Sequence, residues 1–246
     1  MALFNSFTFD GENSLDNGIY ISGEAAYNAP ERVVEMITVP GRNGAIAMDQ
    51  GRFENIEVTY PAGCFASDEE GFADKIAEFR NILASRYTYK RLTDTYNPDE
   101  FRMALYKSGL EVEPTIHNRA GEFDIIFECK PQRYLVSGET EQTFSSSGSI
   151  TNPTKFDSRP MLVVSGIGIL TIGSHTLEIS GVAGQTIYID CDTMEAWEVV
   201  GQGKISRNDY IRNAGEEFPV IASGSNVVTL GTGITQVKIT PRWWRL

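Results

Sequence analysis

Very few residues in this chain combine into a reactive set. Imidazole serves most general-base and metal sites, and here it is limited to His117 and His175. No His-Glu-x-x-His, Cys-x-x-Cys or Gly-x-Ser-x-Gly spacing occurs, so no zinc helix, dithiol or nucleophile elbow is written in the chain. Asp190-Cys191-Asp192 puts two acids close in sequence, but alternate side chains on a strand point to opposite faces, so these acids are expected to cap a turn. A pair of carboxylates for glycoside hydrolysis would have to come from 33 acids among which nothing marks a pair. Cys64, Cys129 and Cys191 are odd in number and widely spaced. That reads as reduced thiols in a protein made in a cytoplasm, not as a disulfide framework. The expectation is a protein that is not an enzyme, with no catalytic residues, no metal ligands and no cofactor.

Contact chemistry is better represented. Pro40-Gly41-Arg42-Asn43-Gly44 is flanked by strand-like residues, and Asn-Gly tolerates positive φ, so a hairpin turn with Arg42 at its tip is expected. Such a turn has two readings. It is an ordinary exposed turn, or it is a contact loop in which Arg42 anchors a neighbouring subunit. It is not a phosphate loop, because no helix follows and the Gly-Lys-Ser/Thr ending is missing. The end of the chain, Pro241-Arg242-Trp243-Trp244-Arg245-Leu246, also has two readings. The Trp rings staple a terminal strand into the core, or Arg242, Trp243 and Trp244 anchor another domain or subunit.

Bulk properties narrow the partners. Among 246 residues, 33 acids against 21 bases leave a net charge of -12, which repels phosphate backbones and argues against sequence-specific nucleic-acid contact. No apolar run approaches the roughly 20 residues that cross a bilayer, so no membrane insertion is expected. Met1-Ala2-Leu3-Phe4-Asn5-Ser6 has neither a basic n-region nor a sustained apolar run, and no leader is expected. A 41% hydrophobic content supports a globular core.

The elements that would position these residues are mostly strands. Short strands are expected at 18–21, 32–39, 53–60, 87–92, 101–106, 111–116 and 122–127. One helix interrupts them: Phe72, Ile76, Phe79 and Leu83 recur at spacings of three and four, and Ser67-Asp68-Glu69-Glu70 reads as a capping box with Ser67 as the cap. Ser137-Gly138 and Ser145-Ser146-Ser147-Gly148-Ser149 read as loop or linker. After residue 153 strands resume with glycine turns, among them Gly173-Ser174 between two runs, as in a β-sandwich. The expected organisation is a first domain over 1–136, α+β with one amphipathic helix, and a second, all-β domain over 137–246.

Several stretches together resemble a known family: the distal tail protein, or Dit, the baseplate hub of long-tailed, non-contractile phages of Gram-positive hosts. They are Phe4-Asn5-Ser6-Phe7-Thr8-Phe9-Asp10-Gly11, Pro40-Gly41-Arg42-Asn43-Gly44, Phe127-Glu128-Cys129-Lys130-Pro131, Asn152-Pro153-Thr154 through Ser158-Arg159-Pro160, Ile187-Tyr188-Ile189-Asp190-Cys191, Phe218-Pro219, and Pro241-Arg242-Trp243-Trp244-Arg245. The resemblance implies a mainly β fold: an N-terminal β-sandwich or split barrel with a helix, and a C-terminal galectin-like β-sandwich. It further implies a homohexameric ring in the virion tail, with partners in the tail tube protein, the tail-tip protein and receptor-binding proteins. Pro40, Gly41, Arg42, Asn43, Gly44, Arg242, Trp243 and Trp244 are the candidate subunit-interface residues. The competing reading is a carbohydrate-binding module for host cell-wall saccharide, with Trp197 or Trp243 stacking on a sugar.

Overall fold

The computed structural model describes residues 4–23, 28–85, 87–181, 184–213 and 217–246. The expected absence of a leader at the N-terminus falls partly on residues 1–3, outside that set. The chain divides into two units, 1–133 with 246, and 134–245.

The first unit is a curled sheet with one helix. Its strands are β1 (Phe7–Phe9), β2 (Glu12–Asn13), β3 (Ile19–Ile21), β4 (Arg32–Thr38), β5 (Ala45–Phe53), β6 (Ile56–Phe65), β7 (Lys90–Asp94), β8 (Glu100–Tyr106), β9 (Glu113–Thr115) and β10 (Ala120–Cys129), with α1 (Glu69–Ala84) between β6 and β7. The sheet runs β2-β1-β7-β8-β10-β6-β3, with β9 on β10. Asn5 bridges Ile21, so the chain entering β1 returns against β3 and the sheet curls on itself. The alternating residues Phe123, Ile125, Phe127 and Cys129 of β10 point inward with Val58, Tyr60, Ala62 and Cys64 of β6, the pattern of a strand with one buried face. Phe7, Phe9, Tyr60 and Phe127 form an aromatic centre with ring separations of 5.0–6.1 Å. All four expected helix positions, Phe72, Ile76, Phe79 and Leu83, are buried in that core.

Local details correct several sequence readings. The helix cap is Asp68, whose Oδ1 accepts from the Gly71 amide at 2.8 Å. Ser67 instead donates to Asp68 at 3.1 Å. Asp outcompetes Ser because a carboxylate also answers the positive helix end. The strand expected from Tyr87 starts at Lys90, with Tyr87 87% exposed. The expected strand over 53–60 is the end of β5 and the start of β6, divided at Glu54-Asn55. The β9–β10 connection is a left-handed turn in which Ile116, His117 and Asn118 all have φ of 50–58°. Asn and His tolerate that region better than the β-branched Ile116.

The second unit is a sandwich. β11 (Arg133–Leu135) straddles the boundary and pairs with β23 (Trp244–Arg245); the strands of the sandwich are β12 (Gln142–Phe144), β13 (Gly148–Asn152), β14 (Met161–Gly166), β15 (Gly168–Ile172), β16 (His175–Ile179), β17 (Thr186–Asp190), β18 (Glu195–Val200), β19 (Gly203–Ser206), β20 (Ile211–Asn213), β21 (Gly224–Leu230) and β22 (Ile234–Thr240). One sheet runs β12-β22-β14-β17-β18-β19 and the other β13-β21-β15-β16-β20. Leu162 and Val164, Ile187 and Ile189, Val237 and Ile239 come from the first sheet, and Leu170, Ile172, Leu177, Ile179 and Val228 from the second, all into one core. Gly173 at φ 59° turns β15 into β16, pairing Ile172 with His175. The presumed linker is more ordered than its composition suggests. Val136–Glu139 is a 3-10 turn with Gly138 buried, and β13 begins at Gly148. A Cβ on Gly138 would stand 2.3 Å from the Trp243 amide nitrogen, so this glycine serves close packing and not flexibility.

Candidate subunit-contact arm

Among the described residues the two histidines are not brought together. His117 lies in the 116–119 turn of the first unit and His175 opens β16 in the second. Among the described residues no group of three or more His, Cys, Asp or Glu side chains is placed to hold a metal. Asp190 holds the turn that follows it, accepting from the amides of Asp192 at 2.9 Å and Thr193 at 3.4 Å.

The contact candidates separate cleanly. β4 and β5 form a two-stranded sheet of their own. Their register pairs Val34 with Asp49, Met36 with Ala47, Thr38 with Ala45, Glu35 with Met48, and Ile37 with Ile46. Opposed residues share a face. One face therefore carries Val34, Met36, Ala45 and Ala47, and the other carries Ile37, Ile46 and Met48 beside Glu35. Every residue from 34 to 52 is exposed. Met36 is 62% and Met48 53% exposed. At the base, Arg32 pairs with Asp49 and lies over the Phe53 ring at 5.4 Å, and the Glu54 amide donates to the Glu31 carbonyl at 2.9 Å.

The tip is built by Pro40 and two glycines. The Arg42 amide donates to the Val39 carbonyl at 3.2 Å, with Pro40 and Gly41 (φ 80°) at the centre of the turn. Pro followed by positive-φ Gly is a type II turn. Gly44 at φ 78° then returns the chain to β5. Among the described residues Arg42 makes no ion pair, so the tip presents an exposed guanidinium.

The tail candidates lie elsewhere and have partners in their own unit. Trp243 is 3% exposed within the sandwich core. Arg242 grips Asp190 with both terminal nitrogens, at 2.7 and 2.9 Å. Burial raises the Asp190 carboxyl, and the Arg242 hydrogen bonds and Asp192 amide outweigh it, so the group sits below its ordinary value. Trp244 stacks on Phe156 at 4.4 Å and donates its indole N–H to the Asp157 carbonyl. The Leu135 amide donates to the Trp243 carbonyl at 2.8 Å. These three residues fasten the second unit to itself.

The sugar-stacking candidates fare the same way. Trp243 is inside the core. Trp197 lies between its strand neighbours: the Tyr188 ring from β17, 5.9 Å away and tilted by only 11°, and the Lys204 ammonium from β19, at 4.5 Å.

The residues missed in sequence are the apolar faces of the arm. Their signal was present: Val33-Val34 and Met36-Ile37, then Ala45-Ile46-Ala47-Met48, are consecutive apolar positions. Without alternation, a strand reads as covered on both faces.

A family model of the phage tail protein RIFT-related domain matches residues 14–129, the stretch from β3 through β10 with α1 and the arm. Among solved structures, the SPP1 Dit protein, described as a paradigm of the hub adsorption apparatus in phages infecting Gram-positive bacteria, covers 98% of this chain and 99% of its own, with 13% identity and a TM-score of 0.73. The phage p2 baseplate in its activated conformation gives 9% identity over 95% of this chain and 97% of that one with strontium, at a TM-score of 0.53. With calcium it gives 9% over 96% and 98%, at 0.54. No curated protein sequence matches. Residues 14–129 are thus similar to the phage tail protein RIFT-related domain, and the fold over the whole length is similar to that of the SPP1 Dit protein.

Proposed function

We propose that this chain is the ring-forming distal tail hub of a siphophage, joining the tail tube to the tail-tip and host-adhesion apparatus. The whole-length fold likeness to a hub protein carries the reading, and the tail-protein domain supports it. The family is structural, and no chemistry is assigned to the chain. Its partners are further copies of itself, six to the ring, with the tail tube protein on one side and the tail-tip protein and receptor-binding proteins on the other.

The arm is the part of the chain that asks for a neighbour. A two-stranded ribbon in water is marginal, and this one exposes Val34, Met36, Ile37, Val39, Ile46 and Met48. Apolar surface on both faces is stable only when something covers it. We assign the Pro40–Gly44 turn and the two arm faces to subunit contact. The tail residues Arg242, Trp243 and Trp244 support the second unit from within and are left with an indirect part in any interface.

The decisive measurement is the mass of the purified full chain over a concentration series, with negative-stain imaging of the same sample. A six-fold ring with an open channel is expected. A single-chain mass at every concentration, alone and with the tail tube protein added, would overturn the reading. Arg42→Glu is expected to weaken assembly without unfolding the chain.

A further inference from the structure

We infer that the arm of one copy seats its Arg42 tip in an acidic groove on the first unit of the next copy. The inference rests on the ring reading and names the partner surface for the arm. The groove lies on the outer face of β6 and β10, encloses about 620 Å³, and is lined by Glu111, Glu113, Glu122 and Asp124 with Pro61 and Ile126. Glu113 stands directly opposite Glu122 in the β9–β10 register. Like charges placed so destabilise a sheet. Among the described residues none of the four carboxylates pairs with a base. The strand face therefore carries uncompensated negative charge that an incoming cation would relieve.

The arm brings that cation. Of its three arginines, Arg32 pairs with Asp49 and Arg52 with Glu54, and only Arg42 at the tip is unengaged among the described residues. Guanidinium offers a planar fork of donors suited to two carboxylates. Exposed ion pairs add little affinity, so burial of the arm's apolar faces supplies the strength and the charge sets register and on-rate. The arm and the groove are different patches on one chain. A contact between them is head-to-tail, the kind that closes into a ring instead of ending at a dimer.

The test uses the full chain. Arg42→Glu, and separately Glu122→Lys with Asp124→Lys, are each expected to raise the concentration for half-assembly by at least about tenfold. Combining them is expected to restore assembly. These positions are exposed, and circular dichroism checks the fold of each variant. Assembly of the groove variant at wild-type concentrations, or no recovery in the combination, would overturn the proposal. A second readout does not need a stable ring. Asn43→Cys on one chain and Gly109→Cys on another are mixed and oxidised. Gly109 is an exposed groove residue whose added Cβ meets nothing within 4 Å. The native Cys64, Cys129 and Cys191 are buried and stay out of the reaction. A tip-to-groove disulfide, absent when Ser149→Cys on the second unit replaces the groove cysteine, supports the contact even if mass shows single chains. A ring without that disulfide overturns the contact and leaves the hub reading standing, with another tail protein as the groove's occupant. Single chains with the disulfide leave the contact standing and count against the ring.

Discussion

The Pro40–Gly44 tip and the Arg242–Trp244 tail contain the same sort of residues in opposite surroundings. Each has an arginine next to a proline-marked turn, and each lies beside large apolar side chains. In the tail, a partner waits for every group: Asp190 for the Arg242 guanidinium, the sandwich core for Trp243, Phe156 and the Asp157 carbonyl for Trp244. In the arm no such partner stands opposite Arg42 among the described residues, and Met36 and Met48 face outward. Residue type marks an anchor in both places. What differs is whether the complement is in the same chain. Anchors whose complement is internal hold a fold. Anchors without one are available for another molecule.

The tail side of this contrast should break most visibly. Trp243→Ala removes a fully packed ring and leaves a cavity, a change that ordinarily costs about 3–5 kcal/mol. Urea unfolding followed by far-UV circular dichroism should show the second unit losing stability by that order while the first unit's transition stays in place. Gly138→Ala attacks the same joint from the other side, because the new Cβ meets the Trp243 backbone nitrogen at 2.3 Å. Overpacking against backbone is expected to cost about 1–3 kcal/mol. A loss under about 1 kcal/mol for Trp243→Ala would mean that the tail is not the staple its burial suggests.

The ion pair beside it should have a smaller effect. Arg242→Met removes a bidentate partner from Asp190, whose side chain is 15% exposed against 32% for the arginine. Hydrogen bonds to charged groups are worth about 1.5–3 kcal/mol when buried, and partial solvent screening brings the expected loss to about 1–2 kcal/mol. The pH dependence has a definite sign. Asp190 titrates lower in the folded chain than its ordinary 3.8, so its contribution is present above that pH and is lost as pH falls through the folded value. The stability gap between the wild type and Asp190→Asn should therefore be flat near neutrality and close in acid, below about pH 3.8. A gap that instead widens in acid would show that the carboxylate is not what Arg242 holds.

Much of the fold was legible because burial of one face imposes a period. Phe72, Ile76, Phe79 and Leu83 could only be one stripe of a helix, and Gly173-Ser174 between apolar runs could only be a tight hairpin. The tail's double character was legible too, though its resolution was not, since nothing local in Trp243 says that Gly138 lies beneath its backbone. Ser137-Gly138 misled for the same reason: small residues mark a loop or a close approach equally well, and only tertiary contact separates them. The cap moved from Ser67 to Asp68 because two adjacent residues can both cap in sequence, and the carboxylate, which also answers the positive helix end, takes the Gly71 amide. The arm is the instructive case. Its lack of alternation at Val33-Val34 and Ala45-Ile46-Ala47-Met48 reads as cover on both faces, yet every residue from 34 to 52 is exposed in the single chain. On the contact reading the cover comes from another copy, which the sequence of one chain cannot say.

That leaves a prediction in which stability should hardly move. Met36→Ser with Met48→Ser places hydroxyls on both faces of the arm. Both side chains are more than half exposed, so neither buries much surface in the single chain, and surface changes of this kind usually stay within about 0.5 kcal/mol. The unfolding transition of the dilute, unassembled chain should therefore overlay the wild type. Assembly should not. Each methionine that becomes covered in a subunit contact removes apolar area from water at about 25 cal/mol per Å², and a ring multiplies that loss over every interface it closes. The mass of the variant should stay at one chain where the wild type assembles. If instead the arm variant assembles normally, the exposed faces are not contact surfaces, and the contrast between arm and tail reduces to one between a solvated hairpin and a buried strand.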